Sequence, residues 1–120
     1  MASPSQKIGS EAEDQACQYL IQQGLTLVAR NWQNRQGEID LILLDHDDVV
    51  FVEVRTRKND HYGSAIESVS HQKRSRLLRA SLHFLQQKNW LERKNVRYDI
   101  VRFCNGQLEW IKHAFDLENQ

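Results

Sequence analysis

Hydrophobic and polar positions along the chain alternate between two periods. Between residues 7 and 23, Ile8, Ala12, Ala16, Cys17 and Leu20 recur every three or four places. That is the period of a helix with one apolar face, and Gly24 is placed to cap its C-terminus. Residues 25–32 then read as a strand, and Asn34 to Gly37 as a turn. Residues 38–44 and 49–56 are dense in Val, Ile and Leu and predict the two clearest strands. The Asp45-His46-Asp47-Asp48 turn between them predicts a hairpin. Residues 57–69 are polar and predict a loop, of which 57–67 is expected to be mobile and to lie beside the site that the preceding strand carries. Helical periodicity returns after Ser70, a good N-cap, and runs to about Lys88. A strand at 96–103, an Asn105-Gly106 hairpin turn and a strand at 107–112 complete the pattern. The order α-β-β-β-α-β-β predicts one α/β domain over 1–120, a central mixed β-sheet flanked by helices. Residues 1–6 are expected to fray, and 113–120 to form a C-terminal tail.

Composition narrows the setting. At 120 residues and 14.1 kDa there is room for one core. Hydrophobic residues at 40% and charged residues at 27% fit an ordinary globular chain. No apolar run approaches the roughly 18 residues that a membrane helix needs, so no membrane partner is expected. No secretory pattern opens the chain. Cys17 and Cys104 have neither disulfide-framework nor metal-ligand spacing, so small buried thiols in a cytoplasmic protein are expected.

The net charge is zero, but its distribution is uneven. Residues 1–54 carry −6, residues 55–112 carry +8, and the last eight carry −2. Such polarity fits a metal-binding acidic cluster beside a polyanion track, or simply two solvated helix faces.

Three features carry candidate chemistry. Glu13 falls inside the apolar arc of the first helix, where a carboxylate is costly unless it is paired or binds a cation. The alternative is an edge position, or a bond to an arginine. Next, Glu38 and Asp40 share one strand face by two-residue alternation, as do Glu53 and Arg55. In a hairpin, Asp40 and Glu53 would lie close together among apolar neighbours. They would repel unless a divalent cation neutralised them, and Mg²⁺ commonly takes one or two carboxylates plus water and phosphate oxygens. The alternative is salt bridges to Arg35, Arg55 or Arg57. Finally, the second helix predicts a core face (Leu77, Leu78, Leu82, Phe84, Leu85) and a basic face (Arg76, Arg79, His83), with Lys73 on the border. A basic face is ordinarily just solvated; beside a carboxylate cluster it becomes a candidate phosphate track.

Together these residues resemble the PD-(D/E)XK nuclease superfamily and, more closely, the YraN-like family of predicted nucleases within it. The resemblance rests on Gly9 and Glu13, then Gly37-Glu38-Ile39-Asp40-Leu41-Ile42, then Phe51-Val52-Glu53-Val54-Arg55-Thr56-Arg57. Gly63-x-Ala65, Val69-Ser70-x-x-Lys73, Arg97-Tyr98-Asp99-Ile100-Val101 and Glu109-Trp110-Ile111-Lys112-x-Ala114-Phe115 extend it over residues 8–116.

The resemblance implies a restriction-endonuclease-like fold and a site in which Glu13, Asp40 and Glu53 hold Mg²⁺ or Mn²⁺, with the Val54 carbonyl assisting. The motif lysine falls on Arg55, which keeps its proton and cannot act as a general base, but can hold a phosphate. Lys73 is the lysine placed to take over the vacant role. Glu38 is expected at the rim, pairing with Arg55 or Arg57. Arg57, Lys58, Arg76 and Arg79 are expected to meet nucleic acid, and Asp99 to pair structurally with an arginine.

The expected function is therefore metal-dependent hydrolysis of phosphodiester bonds in nucleic acid, with DNA the favoured polymer. Arg55 favours a rival, a nucleic-acid-binding module that kept the fold and lost the chemistry. A third reading is an accessory protein that binds another protein through its polarised surface. The fold resembles that of Holliday-junction resolvases, which work as dimers, so a homodimer is an open option.

Overall fold

The computed structural model describes the backbone over residues 4–57 and 71–115, and side chains over 11–56 and 72–115. Its elements follow the expected order: α1 (Pro4–Gln22), β1 (Thr26–Gln33), β2 (Glu38–Asp45), β3 (Asp48–Arg57), α2 (His71–Gln87), β4 (Val96–Cys104) and β5 (Gln107–Phe115). Helix α1 begins at Pro4 rather than residue 7, and β5 runs through residues expected in the tail. The predicted mobile loop lies almost wholly outside the described residues, as do Lys58 and Ser70.

Helix α1 ends in a Schellman cap. Gly24 adopts φ +102°, Gly24 N–H donates to the Ile21 carbonyl at 3.0 Å, and Leu25 N–H to the Leu20 carbonyl at 3.1 Å. That closure turns the chain into β1 and seats Leu25, 4% exposed, against the core. Left-handed Asn105 and Gly106 likewise form the tight β4–β5 turn that their sequence predicts.

The five strands form one sheet in the order β1-β2-β3-β4-β5. All neighbours are antiparallel except β3 and β4, which run parallel with α2 as the crossover between them. Parallel central strands are covered on both faces, so their apolar residues run on rather than alternate. Val49 to Val52 and Tyr98, Ile100 and Val101 are accordingly buried.

Helix α1 covers one face through Ala12, Ala16, Cys17 and Leu20, packed on Leu41, Leu43, Val50, Val52, Val101 and Phe103. Helix α2 covers the other through Leu77, Leu78, Phe84 and Leu85, packed on Ile39, Ile42, Phe51, Tyr98 and Ile100. Leu82 departs from expectation. It lies at the far edge of the apolar arc and is 38% exposed. Cys17 and Cys104 are unbridged. Among the described residues no helix is long and apolar enough to cross a membrane.

Candidate functional site

The β2–β3 ladder runs from the Asp45–Asp48 pair to the Leu41–Val52 pair and stops there. One step further, continuing the register would set Asp40 opposite Glu53. Ladder pairing is replaced at this step by a side chain: Asp40 Oδ2 accepts the Val54 N–H at 2.9 Å. Simple alternation fails here. Ile39 belongs to the α2 side of the core and Leu41 to the α1 side, so β2 turns as it passes through Asp40. The expectation that Glu38 and Asp40 share a regular strand face is corrected accordingly. Asp40 reaches across toward β3.

Where the strands part, a cavity of about 550 Å³ opens. Its lining includes Glu13, Glu38, Asp40, Glu53, Arg55, Lys73 and Arg76, which come from α1, β2, β3 and the first turns of α2. Gly37 lets α2 approach. A Cβ there would touch the Arg76 Cβ and carbonyl oxygen, each at 3.4 Å. The turn before it is held by Asn34, whose Oδ1 accepts the N–H groups of Gln36 and Gly37 at 2.8 and 3.2 Å.

Glu53 is only 4% exposed. Burial and the Asp40 charge push its pKa up to about 8, against the opposing pull of Lys73 and Arg55. Its carboxyl shares a hydrogen bond with Asp40. Burial and Asp40 thus both disfavour the charged form of Glu53. Lys73 Nζ lies 3.8 Å from Glu53 Oε2 and opposes that shift. Glu13 is also raised, by burial first and then by Asp40 and Glu38, while a hydrogen bond from Asn31 and the charge of Arg30 pull it down. Arg30 Nη2 lies 3.8 Å from Glu13 Oε1 and 2.7 Å from Asp14 Oδ1.

The cationic side chains divide. Arg55 has two buried nitrogens, Nε and Nη2, without a hydrogen-bond partner. Glu38 is exposed and makes no ion pair with Arg55, which corrects that expected pairing; Arg57's side chain lies outside the described residues. Arg76 lines the cavity, whereas Arg79 is exposed beyond it. Asp99 lies apart from the cavity and is paired, as expected, with Arg97 at 3.0 Å.

The donor set is oxygen-rich and hard, suited to Mg²⁺ or Mn²⁺. Among the described residues no three His, Cys, Asp or Glu side chains are gathered closely enough to hold an ion. The contact unit is the Asp40–Glu53 pair, with Glu13 interacting with Asp40 through charge. Two carboxylates suffice for Mg²⁺ when water and phosphate oxygens complete the octahedron. The cavity residues therefore fit a divalent cation held by a pair, with Glu13 as an adjacent third group.

Sequence reasoning passed over Asn31. It adopts φ 52° inside β1 and bonds to Glu13. The one available signal, an Asn within a strand-forming run, does not distinguish a kink from an ordinary surface position.

The family model described as Uncharacterised protein family UPF0102 matches residues 12–103, which include every residue named above as lining the cavity. The chain belongs to this family. It is the YraN-like family that the motifs resemble. A UPF0102 protein of Pseudomonas fluorescens is 44% identical over 110 residues, covering 90% of this chain and 92% of the relative. One from Coxiella burnetii is 41% identical over 119 residues, covering 98% and 99%. Another, from Pseudomonas paraeruginosa, is 44% identical over 114 residues, covering 90% and 91%.

Proposed function

We propose that this UPF0102 protein is a divalent-metal-dependent nuclease that hydrolyses phosphodiester bonds in nucleic acid. The observation that carries this reading is buried Glu53 set against half-buried Asp40, on a cavity wall that also presents Arg55, Lys73 and Arg76. Two acids forced together with one of them desolvated are a poor structural element by themselves. A divalent cation would relieve their repulsion, and the surrounding bases match a polyanionic substrate.

Asp40 and Glu53 would hold the ion, with Glu13 beside them. A bound Mg²⁺ supplies an acidified water and offsets charge gathering on the phosphate. Asp40 is kept in place by the Val54 N–H. Arg55 brings a permanent positive charge to the cavity wall, suited to a phosphate. Lys73 sets a positive charge beside Glu53, favouring release of the Glu53 proton. Arg76 adds positive charge to the same wall. DNA is the polymer placed first, and the unbridged cysteines accord with a cytoplasmic protein.

Arg55 in the motif-lysine position favours one rival, a module that binds nucleic acid without cutting it. Incubation with supercoiled plasmid and with single-stranded RNA, in Mg²⁺, Mn²⁺ or EDTA, separates the two. The nuclease cuts one polymer only with a divalent ion and loses cleavage in Asp40→Asn and Glu53→Gln. Binding with no cleavage under any condition selects the module, and divalent-dependent cleavage that survives Asp40→Asn overturns the proposed site.

A further inference from the structure

The ladder between β1 and β2 shifts register between Leu27 and Ala29 and, further along, skips one pair without a shift. Arg30 pairs with Leu41 and Trp32 with Ile39, but the intervening Asn31 and Asp40 make no ladder pair. At that point Asn31 takes a left-handed backbone, φ 52°, in the middle of a strand. Such a conformation disfavours most L-residues; asparagine is among those that tolerate it best. Conformations of this kind persist where their surroundings over-determine them.

Two contacts on opposite sides of the break suggest what it accomplishes. On β2, Asp40 is released from regular alternation and reaches the Val54 N–H and the Glu53 carboxyl. On β1, the Asn31 side chain hydrogen-bonds to Glu13 on α1. Arg30, one residue earlier, reaches Glu13 and Asp14 on the same helix. Adjacent residues of β1, Arg30 and Asn31, thus both hold the Glu13 side chain, which lines the cavity.

We infer that Asn31 is a positioning residue that acts through Glu13, holding this third carboxylate toward the ion site that Asp40 and Glu53 form. The inference rests on the divalent-site reading given above. Outer partners of metal ligands typically contribute 10–100-fold to metal affinity. Asn31→Gly separates backbone from side chain, because glycine adopts the left-handed conformation without supplying the amide.

The test measures Mn²⁺ binding by calorimetry for the wild type, Asn31→Gly, Glu13→Gln and the double variant, with thermal unfolding in EDTA alongside. Asn31→Gly is expected to unfold near the wild-type temperature and bind Mn²⁺ about tenfold more weakly. In the Glu13→Gln background it should cause no further loss, because its route of action is already gone. Wild-type affinity in Asn31→Gly overturns the inference while leaving the ion site standing. Losses that simply multiply in the double variant also overturn it, since Asn31 would then act independently of Glu13. A wild-type chain that binds no Mn²⁺ overturns the divalent-site reading and this inference with it. Asn31→Ala lacks the backbone tolerance and should lose stability as well; if it does not fold, the glycine variant and its cycle still decide.

Discussion

Two acids on neighbouring strands are almost equally buried and have opposite surroundings. Asp99 on β4 is 1% exposed and Glu53 on β3 is 4% exposed. Asp99 accepts from Arg97 Nε at 3.0 and 3.2 Å, from Trp110 Nε1 at 2.9 Å and from the His113 N–H at 2.9 Å. Arg97 is itself held by Asp45 at 2.9 Å and lies over the Trp110 ring. The β4–β5 register shifts between Tyr98 and Ile100, and His113 has φ 55° there, so β5 bulges around the Asp99 carboxylate. The charge and hydrogen-bonding capacity of the Asp99 carboxylate are met inside the fold, although Arg97 Nη2 has no hydrogen-bond partner. Glu53 instead faces another acid, with Lys73 at 3.8 Å and Arg55 retaining unpartnered nitrogens. A buried acid supplied with donors fastens structure. One left with a like charge is suited to something from outside.

The largest expected effect would strengthen the fastening side of this contrast. Asp99→Ala leaves Arg97 without its buried partner and strands the Trp110 and His113 donors. Breaking one side of a buried pair costs about 3–5 kcal/mol, which chemical denaturation would register directly. A loss below about 1 kcal/mol would mean that Asp99 is no anchor.

Glu53→Gln should move stability the other way. Removing a buried acid beside Asp40 is expected to be neutral or stabilising, by up to about 1–4 kcal/mol in EDTA at pH 8, while cleavage disappears. Destabilisation comparable to Asp99→Ala would make the two acids equivalent and undo the contrast.

The pH dependence follows from the same difference. Glu53's folded pKa stands at about 8, above its ordinary value of 4.5. Its contribution to stability is therefore complete below the ordinary value and is lost as pH rises through the folded one. In EDTA, the unfolding temperature should fall between pH 5 and pH 8.5, and Glu53→Gln should flatten that slope. Mn²⁺ should restore stability most at the alkaline end, where ion binding no longer has to displace a proton. A slope unchanged in Glu53→Gln would assign the effect to another group.

The sequence made the element order legible because two periods, a capping glycine and two hairpin turns agreed with one another. It also brought the site residues within reach, since the antiparallel register of two neighbouring strands, carried one step past its last pair, leads to Asp40 and Glu53. The turn of β2 at Asp40 was not legible. Period-two reasoning assumes a regular pleat, and here side-chain bonding to Val54 and a left-handed Asn31 both interrupt it. Asp99's partner was foreseeable in type, but not the bulge around it, which depends on His113 and Trp110 arriving from β5. The roles of Lys73 and Arg76 depended on where α2 begins relative to the sheet, and the close approach at Gly37 sets that distance.

The smallest expected effect concerns bases rather than acids. Around Asp99, Arg97 is occupied by two carboxylates. Beside Glu53, Arg76 lines the cavity and Arg79 continues along the same face of α2, exposed. If these two meet phosphates, removing both should reduce the log–log salt slope of DNA binding by about 1–2 units, at roughly 0.9 per phosphate on B-DNA. Lys112 serves as the control. It is exposed but stacks over Trp110 at 4.4 Å, on the fastened side of the molecule. Lys112→Ala should leave the slope unchanged. Measured by fluorescence anisotropy across a salt series, equal reductions from both changes would indicate diffuse attraction to any surface base. A reduction confined to Arg76 and Arg79 would mark α2 as the path that nucleic acid takes past the unsatisfied acid pair.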